Sequence, residues 1–304
     1  MLLVPIGVAV FAFSLIIGHF ISEPLRLLAK RTAAYRTGAD VPLEPDGRLF
    51  EADQLAADFK GLVQTMKAQQ HDLALKERRQ AAFISDVAHE LRTPLTAIRG
   101  NAEMLEDPDL PPELHEKFCG IIINESERLS RLTHDLLTLQ RIEDDAAPME
   151  LARVNLRELS AGVLDALEPI LRDRQAHTEI VGEAPDVLGN LDRLKQAVTN
   201  LVENASRFIA PGGHIVIELF GLRGNSILAV KDDGCGFGDV DPKLLFDRFY
   251  RTDASRSRGT GGTGLGLAIV KSVVEAHDGS VEALNLPDGG ACFIIALPSI
   301  PADT

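Results

Sequence analysis

The sequence predicts an α+β chain in three parts: an apolar helix at the N-terminus, a long helical hairpin, and a mixed α/β unit at the C-terminus. Three observations predict it. Leu2 to Ile21 carry no formal charge, apolar residues recur at steps of three and four from about His71 to Glu143, and after Pro148 β-branched runs alternate with Gly and Pro signals. A length of 304 residues leaves room for two cores and a short appendage.

Composition excludes several classes. A formal charge of −14, with no long run of Lys or Arg, argues against a nucleic-acid partner held through its phosphates. A hydrophobic share of 45% and a charged share of 25% are those of a folded chain. Cys119, Cys235 and Cys292 are odd in number and lie far apart without a CxxC spacing, so neither a disulfide framework nor a zinc site is expected.

The first element is residues 2–21. Twenty uncharged residues at ~1.5 Å rise match a ~30 Å hydrocarbon core. Arg26, Lys30, Arg31 and Arg36 follow, which predicts a single-pass transmembrane helix in membrane lipid of the cell membrane, with the remaining chain in the cytoplasm. Sensing within the membrane, listening to a membrane partner, and a shortened start all remain open.

Residues 22–70 form the second element. Leu25, Leu28 and Thr32 share a short helical face, Gly38 to Gly47 reads as a loop, and Leu55, Phe59, Leu62, Val63 and Met66 return at helical spacing. Two short helices joined by an extended connector resemble the HAMP signal-relay module. The text Phe50-Glu51-Ala52-Asp53 departs from the Asp-Glu-x-Gly that opens many second helices of that module, and plain linker helices stay open as the alternative.

Residues 71–145 make the hairpin, broken at Glu106-Asp107-Pro108-Asp109-Leu110-Pro111. In its second helix Ile122, Leu129, Leu132, Leu136, Leu139 and Ile142 form a bundle seam. Two helices enclose a core poorly, so a homodimer forming a four-helix bundle is expected. Residues 150–298 form the α/β unit, with a tail at 299–304. Asn155 and Glu158 cap a helix toward Leu171, and strands are expected over Ile215–Phe220, Ser226–Lys231, Ser280–Leu284 and Cys292–Leu297.

Phe83, Val87, Leu91 and Leu95 step by four and predict a buried stripe. His89 lies about 200° round from Val87 and so projects to solvent. Glu90 is its neighbour, Thr93 shares its face one turn on, and Pro94 removes a helical donor, which predicts a bend beside the histidine. The string His89-Glu90-Leu91-Arg92-Thr93-Pro94-Leu95 resembles the phosphoacceptor box of bacterial sensor histidine kinases. The resemblance implies that His89 takes the γ-phosphoryl of ATP, that Glu90 accepts the proton from its other ring nitrogen, and that Thr93 supports dephosphorylation of a partner.

Further segments carry polar groups in a recognisable order. Asn200 and Asn204 fall on one helical face, where two amide carbonyls reach one hard cation. Asp232-Asp233-Gly234-Cys235-Gly236 follows an expected strand, with a carboxylate placed to accept from an amino group. Phe246 to Arg251 precede a glycine-dense run from Gly259 to Gly266 that ends at a helix N-terminus, where amide donors favour phosphate. Together these are similar to the Bergerat-type ATP-binding fold, an α/β sandwich. By that resemblance Asn204 ligates Mg²⁺ with Asn200 and Arg207 nearby, Asp232 rather than Asp233 accepts from adenine, and Gly234 and Gly236 let the chain pass close. It further implies that Phe246 and Phe249 anchor a lid, that Gly262, Gly264, Leu265 and Gly266 approach the triphosphate, and that Lys271 adds a charge.

The resemblance runs from about Gln80 to Leu297. It implies a histidine kinase that passes its phosphoryl group to an aspartate on a separate response regulator. A conformational ATPase of the gyrase and chaperone type, and a silent dimeric adaptor, are the alternatives.

Overall fold

The computed structural model describes residues 3–36, 50–143, 149–252 and 262–300. The chain divides into two compact units, Met1–Ile84 and Ser85–Thr304.

In the first unit, α1 (Leu3–Arg36) is one continuous helix. Its described apolar side chains from Ile6 to Ile17 are exposed, Val8 at 63% and Phe11 at 67%. Among the described residues, however, no helix is long and apolar enough to cross a membrane. The transmembrane helix expected over 2–21 is therefore not shown: parts of that span, including Phe20 and Ile21, lie outside the described side chains, and α1 runs on through Glu23, Arg26 and Lys30 to Arg36. The two short relay helices are not separate elements either. One is the end of α1, the other the beginning of α2 (Phe50–Met104), and the loop expected from Gly38 to Gly47 lies outside the described residues.

In the second unit, α2 runs through Pro94 to Met104 without interruption. The turn that follows is held by Asp107, whose Oδ1 accepts from the Asp109 amide at 3.0 Å. α3 (Pro112–Glu143) then carries the expected seam: Leu132, Leu139 and Ile142 are buried, and Ile122, Leu129 and Leu136 half-buried. On α2 the expected stripe needs correction. Phe83, Val87 and Leu91 are only half-buried, Pro94 is buried, and Leu95 is 54% exposed. Leu95 lies about 100° past Pro94 around the helix, on the sector left to solvent.

The mixed unit opens with β1 (Ala152–Val154) and α4 (Leu156–Asp173). Asn155 caps α4, its side-chain oxygen accepting from the amides of Arg157 and Glu158, as the sequence anticipates. Next come β2 (His177–Gly182), β3 (Val187–Gly189), α5 (Leu191–Phe208), β4 (His214–Leu222) and β5 (Asn225–Asp232). A 3₁₀ turn over Pro242–Phe246, α6 (Gly266–Glu275), β6 (Ser280–Asn285) and β7 (Ala291–Pro298) complete it. β1 pairs with β3, and the main sheet has the order β2-β4-β5-β7-β6, antiparallel except for the parallel pair β2 and β4.

Each helix presents an apolar stripe. On α5, Leu194, Ala197, Val198, Leu201, Val202 and Ala205 recur at steps of three and one and are all buried. They meet a sheet core that includes Ile215, Ile217, Leu228, Val230 and Ile295, and the buried Ile269 of α6. This packing leaves the other face of α5, with its asparagines, free to line a cleft.

Candidate active site

His89 is exposed on α2, as its position relative to Val87 requires. The Thr93 hydroxyl donates to the His89 carbonyl at 3.3 Å, one turn back along the helix. Glu90 is half-buried and turns toward α3, where the Arg128 guanidinium donates to its Oε2 at 2.9 Å. Arg128 also lies 3.5 Å from Oε2 of Glu125, an oxygen buried without a hydrogen-bond partner. One arginine thus serves two carboxylates between the hairpin helices.

A cavity of about 750 Å³ opens between α3, α5, the end of β5 and the start of α6. Asn200, Asn204 and Arg207 line it from α5. Asn200 spends its amide nitrogen on the Gly266 carbonyl, 3.2 Å away, so α5 is tied to the first turn of α6. Arg207 pairs with Glu203 one turn back at 3.0 Å. Asn200 and Asn204 bring neutral oxygen donors to one wall, a donor type that suits a hard divalent cation bridging phosphates.

Asp232 and Gly236 line the opposite side. Asp232 is 5% exposed, and its Oδ1 accepts from the amides of Gly234 at 2.9 Å and Ala291 at 3.2 Å. Burial pushes its carboxyl above the ordinary carboxylate range, outweighing these two donors, with the neighbouring Asp233 adding to the push. Asp233 faces outward and meets Nδ1 of His214 at 3.1 Å. Gly234 does not line the cavity but passes close behind it, where a Cβ would sit 2.7 Å from the Phe208 carbonyl oxygen.

The glycine segment reaches the cavity at its end. Gly262, Gly264 and Gly266 line it, while Arg256 to Gly261 lie outside the described residues. Gly264 has φ +74° and accepts from the Phe249 amide at 2.9 Å; a Cβ there would sit 2.9 Å from the Phe249 Cα. Phe249 and Phe246 therefore act from behind the wall. Phe246 is buried edge-on against Phe293, with ring centres 6.3 Å apart. Leu265 is fully buried, and Lys271, half-buried further along α6, does not line the cavity. Nor do His89, Glu90 and Thr93.

Two features escape the sequence reading. The Ala291 amide holds Asp232 through a backbone donor, which leaves no trace in residue type. The fourth wall is α3, with Ser130, Arg131, His134 and Asp135, a polar strip beside the apolar seam.

Against known families, residues 79–145 match the His Kinase A (phospho-acceptor) domain. Residues 189–301 match the family of histidine kinase-, DNA gyrase B- and HSP90-like ATPases. The chain is 41% identical over 244 residues to the sensor protein SphS of Synechococcus elongatus, covering 77% of this chain and 57% of that protein. Among solved structures it resembles histidine kinase ThkA in complex with response regulator protein TrrA, at 25% identity and TM-score 0.60, over 72% of this chain and 61% of that one. It also resembles full-length ShkA in complex with AMPPNP, at 27% identity and TM-score 0.52, over 71% of this chain and 45% of that one. The chain spans roughly 37–57% of the length of the curated relatives it matches. A phosphoacceptor helix followed by an ATPase-type α/β layer is the arrangement both family matches describe, and on them the chain belongs to the sensor histidine kinases of bacterial two-component systems.

Proposed function

We propose that this chain is an ATP-dependent protein-histidine kinase that phosphorylates its own His89 and passes the group to an aspartate on a separate response regulator. The observation that carries the reading is the coexistence, in one unit, of a solvent-exposed imidazole beside a carboxylate and a cleft that presents a buried acceptor, two amide oxygens and a glycine-rich helix start. ATP is the substrate; its adenine amino group would donate to Asp232, and its phosphates would meet Arg207 and the backbone from Gly262 to Gly266. Asn204, with Asn200 beside it, would hold Mg²⁺. That ion supplies neutralisation of phosphate charge when bound. His89 would attack the γ-phosphorus through its outward ring nitrogen as the bond to the β,γ-bridging oxygen breaks and ADP leaves, and Glu90 would take up the proton of the other nitrogen. Such transfer depends on positioning and charge more than on covalent help.

The neighbours bound to AMPPNP and to a response regulator support this reading by analogy. The exposed Ile84, Leu95, Ile123 and Leu137 on the hairpin support its pairing with a second copy into a four-helix bundle. The exposed apolar sheath of α1 supports membrane anchorage with the catalytic parts in the cytoplasm, and Thr93 beside His89 supports a phosphatase activity on the regulator.

Incubation with γ-labelled ATP tests the central claim. The expected result is acid-labile, base-stable label on the wild-type chain and none on His89→Ala. ATP turnover with no labelled protein would instead favour a conformational ATPase.

A further inference from the structure

The cavity holds a carboxyl group of its own. The Thr263 hydroxyl, at the end of the glycine segment, donates to Oδ2 of Asp135 on α3 at 2.7 Å, across 128 positions of sequence. The same hydroxyl accepts from the Leu265 amide at 3.3 Å, so the bond reaches the entry of α6. His134, Arg207 and Arg131 line the same cavity, and their electrostatic influence favours the charged form of Asp135. All of these side chains line the cavity. A hydroxyl donor, two guanidinium groups and an imidazole lining one cavity are groups that suit a phosphate, and here the hydroxyl is given to a carboxylate oxygen.

We infer that Asp135 is a resident anion of the nucleotide cavity, which ties the end of the glycine segment to α3 and which the phosphates of an incoming nucleotide displace. The inference rests on the nucleotide reading proposed above. The competition has a clear sign. Burial raises the Asp135 carboxyl above its ordinary range despite the surrounding donors, so its ionised form is held at a cost that a more highly charged polyphosphate does not share. Release of Asp135 would remove one polar tie between the end of the glycine segment and α3. Coupling of this kind is reciprocal, so whatever weakens the tie tightens nucleotide binding.

The test is calorimetry on the full chain with a non-hydrolysable ATP analogue and, separately, adenosine. Asp135→Asn keeps the shape and removes the charge. Its affinity for the triphosphate should rise about tenfold, the worth of one hydrogen bond to a charged group, with adenosine binding unchanged. Unchanged or weakened triphosphate binding in Asp135→Asn, beside a normal wild type, would overturn the inference; weakening would mean that Asp135 assists the phosphates or their cation. Wild-type protein that binds neither ligand would instead remove the nucleotide reading itself. Hydrogen exchange on the unaltered chain gives a second reading that needs no variant. Amides from Arg131 to Leu139 should lose protection when the triphosphate analogue is added and keep it with adenosine, whereas a gain in protection with the analogue would count against displacement.

Discussion

Arg128 donates to Glu90 at 2.9 Å, which ties α3 to the residue beside the candidate phosphoacceptor. The pair is only 17% and 28% exposed, so it is shielded more than a surface ion pair. Arg128→Ala frees Glu90 and also leaves Glu125, whose Oε2 has no hydrogen bond, without its nearby cation. The expected outcome is a loss of about 1–3 kcal/mol in stability and a fall in autophosphorylation. Arg128→Lys should restore part of both. A thermal melt and a label-incorporation time course on each variant check this.

Asp232→Asn separates binding from folding. Asn keeps an oxygen for the amides of Gly234 and Ala291 but turns a donor toward the cavity, so nucleotide binding should be abolished in calorimetry. The fold should be retained or stabilised near neutral pH. Because burial raises the Asp232 carboxyl in the folded chain, its contribution to stability is fully present below the unfolded value and is lost as pH rises through the folded one. Removing the charge removes that loss, and a Tm no lower than wild type at pH 7 is expected.

His277 supplies a pH dependence of opposite sign. It is 6% exposed, with Nδ1 donating to the Val273 carbonyl at 2.7 Å and Nε2 accepting from the Asn190 amide at 2.9 Å, an arrangement that requires the neutral ring. Burial depresses its basicity, reinforced by Arg193 and opposed by the Val273 bond and Asp278. Stability from this group is present above the ordinary histidine range and lost as pH falls through the depressed folded value. His277→Ala should cost about 1–3 kcal/mol at pH 7 by orphaning the Asn190 amide. Its Tm should also fall less steeply than that of wild type on acidification.

Gly264→Ala tests the close approach behind the cleft. At φ +74°, with Phe249 Cα 2.9 Å from the added Cβ, the backbone has to move. A cost of about 1–3 kcal/mol is expected from the backbone alone, read as weakened nucleotide binding while the sheet signal in circular dichroism stays intact.

Thr93→Ala distinguishes two roles of one hydroxyl. Its bond to the His89 carbonyl is an exposed i to i+4 contact of small worth, so helicity should be unchanged. Regulator dephosphorylation should then fall more than autophosphorylation, and equal loss of both would mean that the substitution merely disturbs the helix.

The parts of this molecule that could be read in the sequence are those whose pattern is local. β4 to β7 announce themselves as β-branched runs, and Asn155 with Glu158 marks the start of α4. β2 is hidden because His177–Gly182 sits at a sheet edge, exposed along most of its length, with no apolar alternation to reveal it. The resemblance implies that Lys271 adds a charge near the phosphates, but its turn of α6 carries it off the cavity wall. The α3 wall is invisible for a different reason. Arg131, His134 and Asp135 look like a solvated helix face, and their counterpart Thr263 comes from a distant glycine run.

The parallel pairing of β2 with β4 imposes an order on how the cleft can come into being. Adjacent parallel strands require a crossover connection rather than a hairpin, and here that connection contains α5, the helix bearing Asn200, Asn204 and Arg207. The edge of the sheet therefore closes only once this helix has docked. A folding intermediate with a complete five-stranded sheet but an unformed α5 wall is topologically disfavoured, so maturation of the scaffold and of that cavity wall amounts to one event.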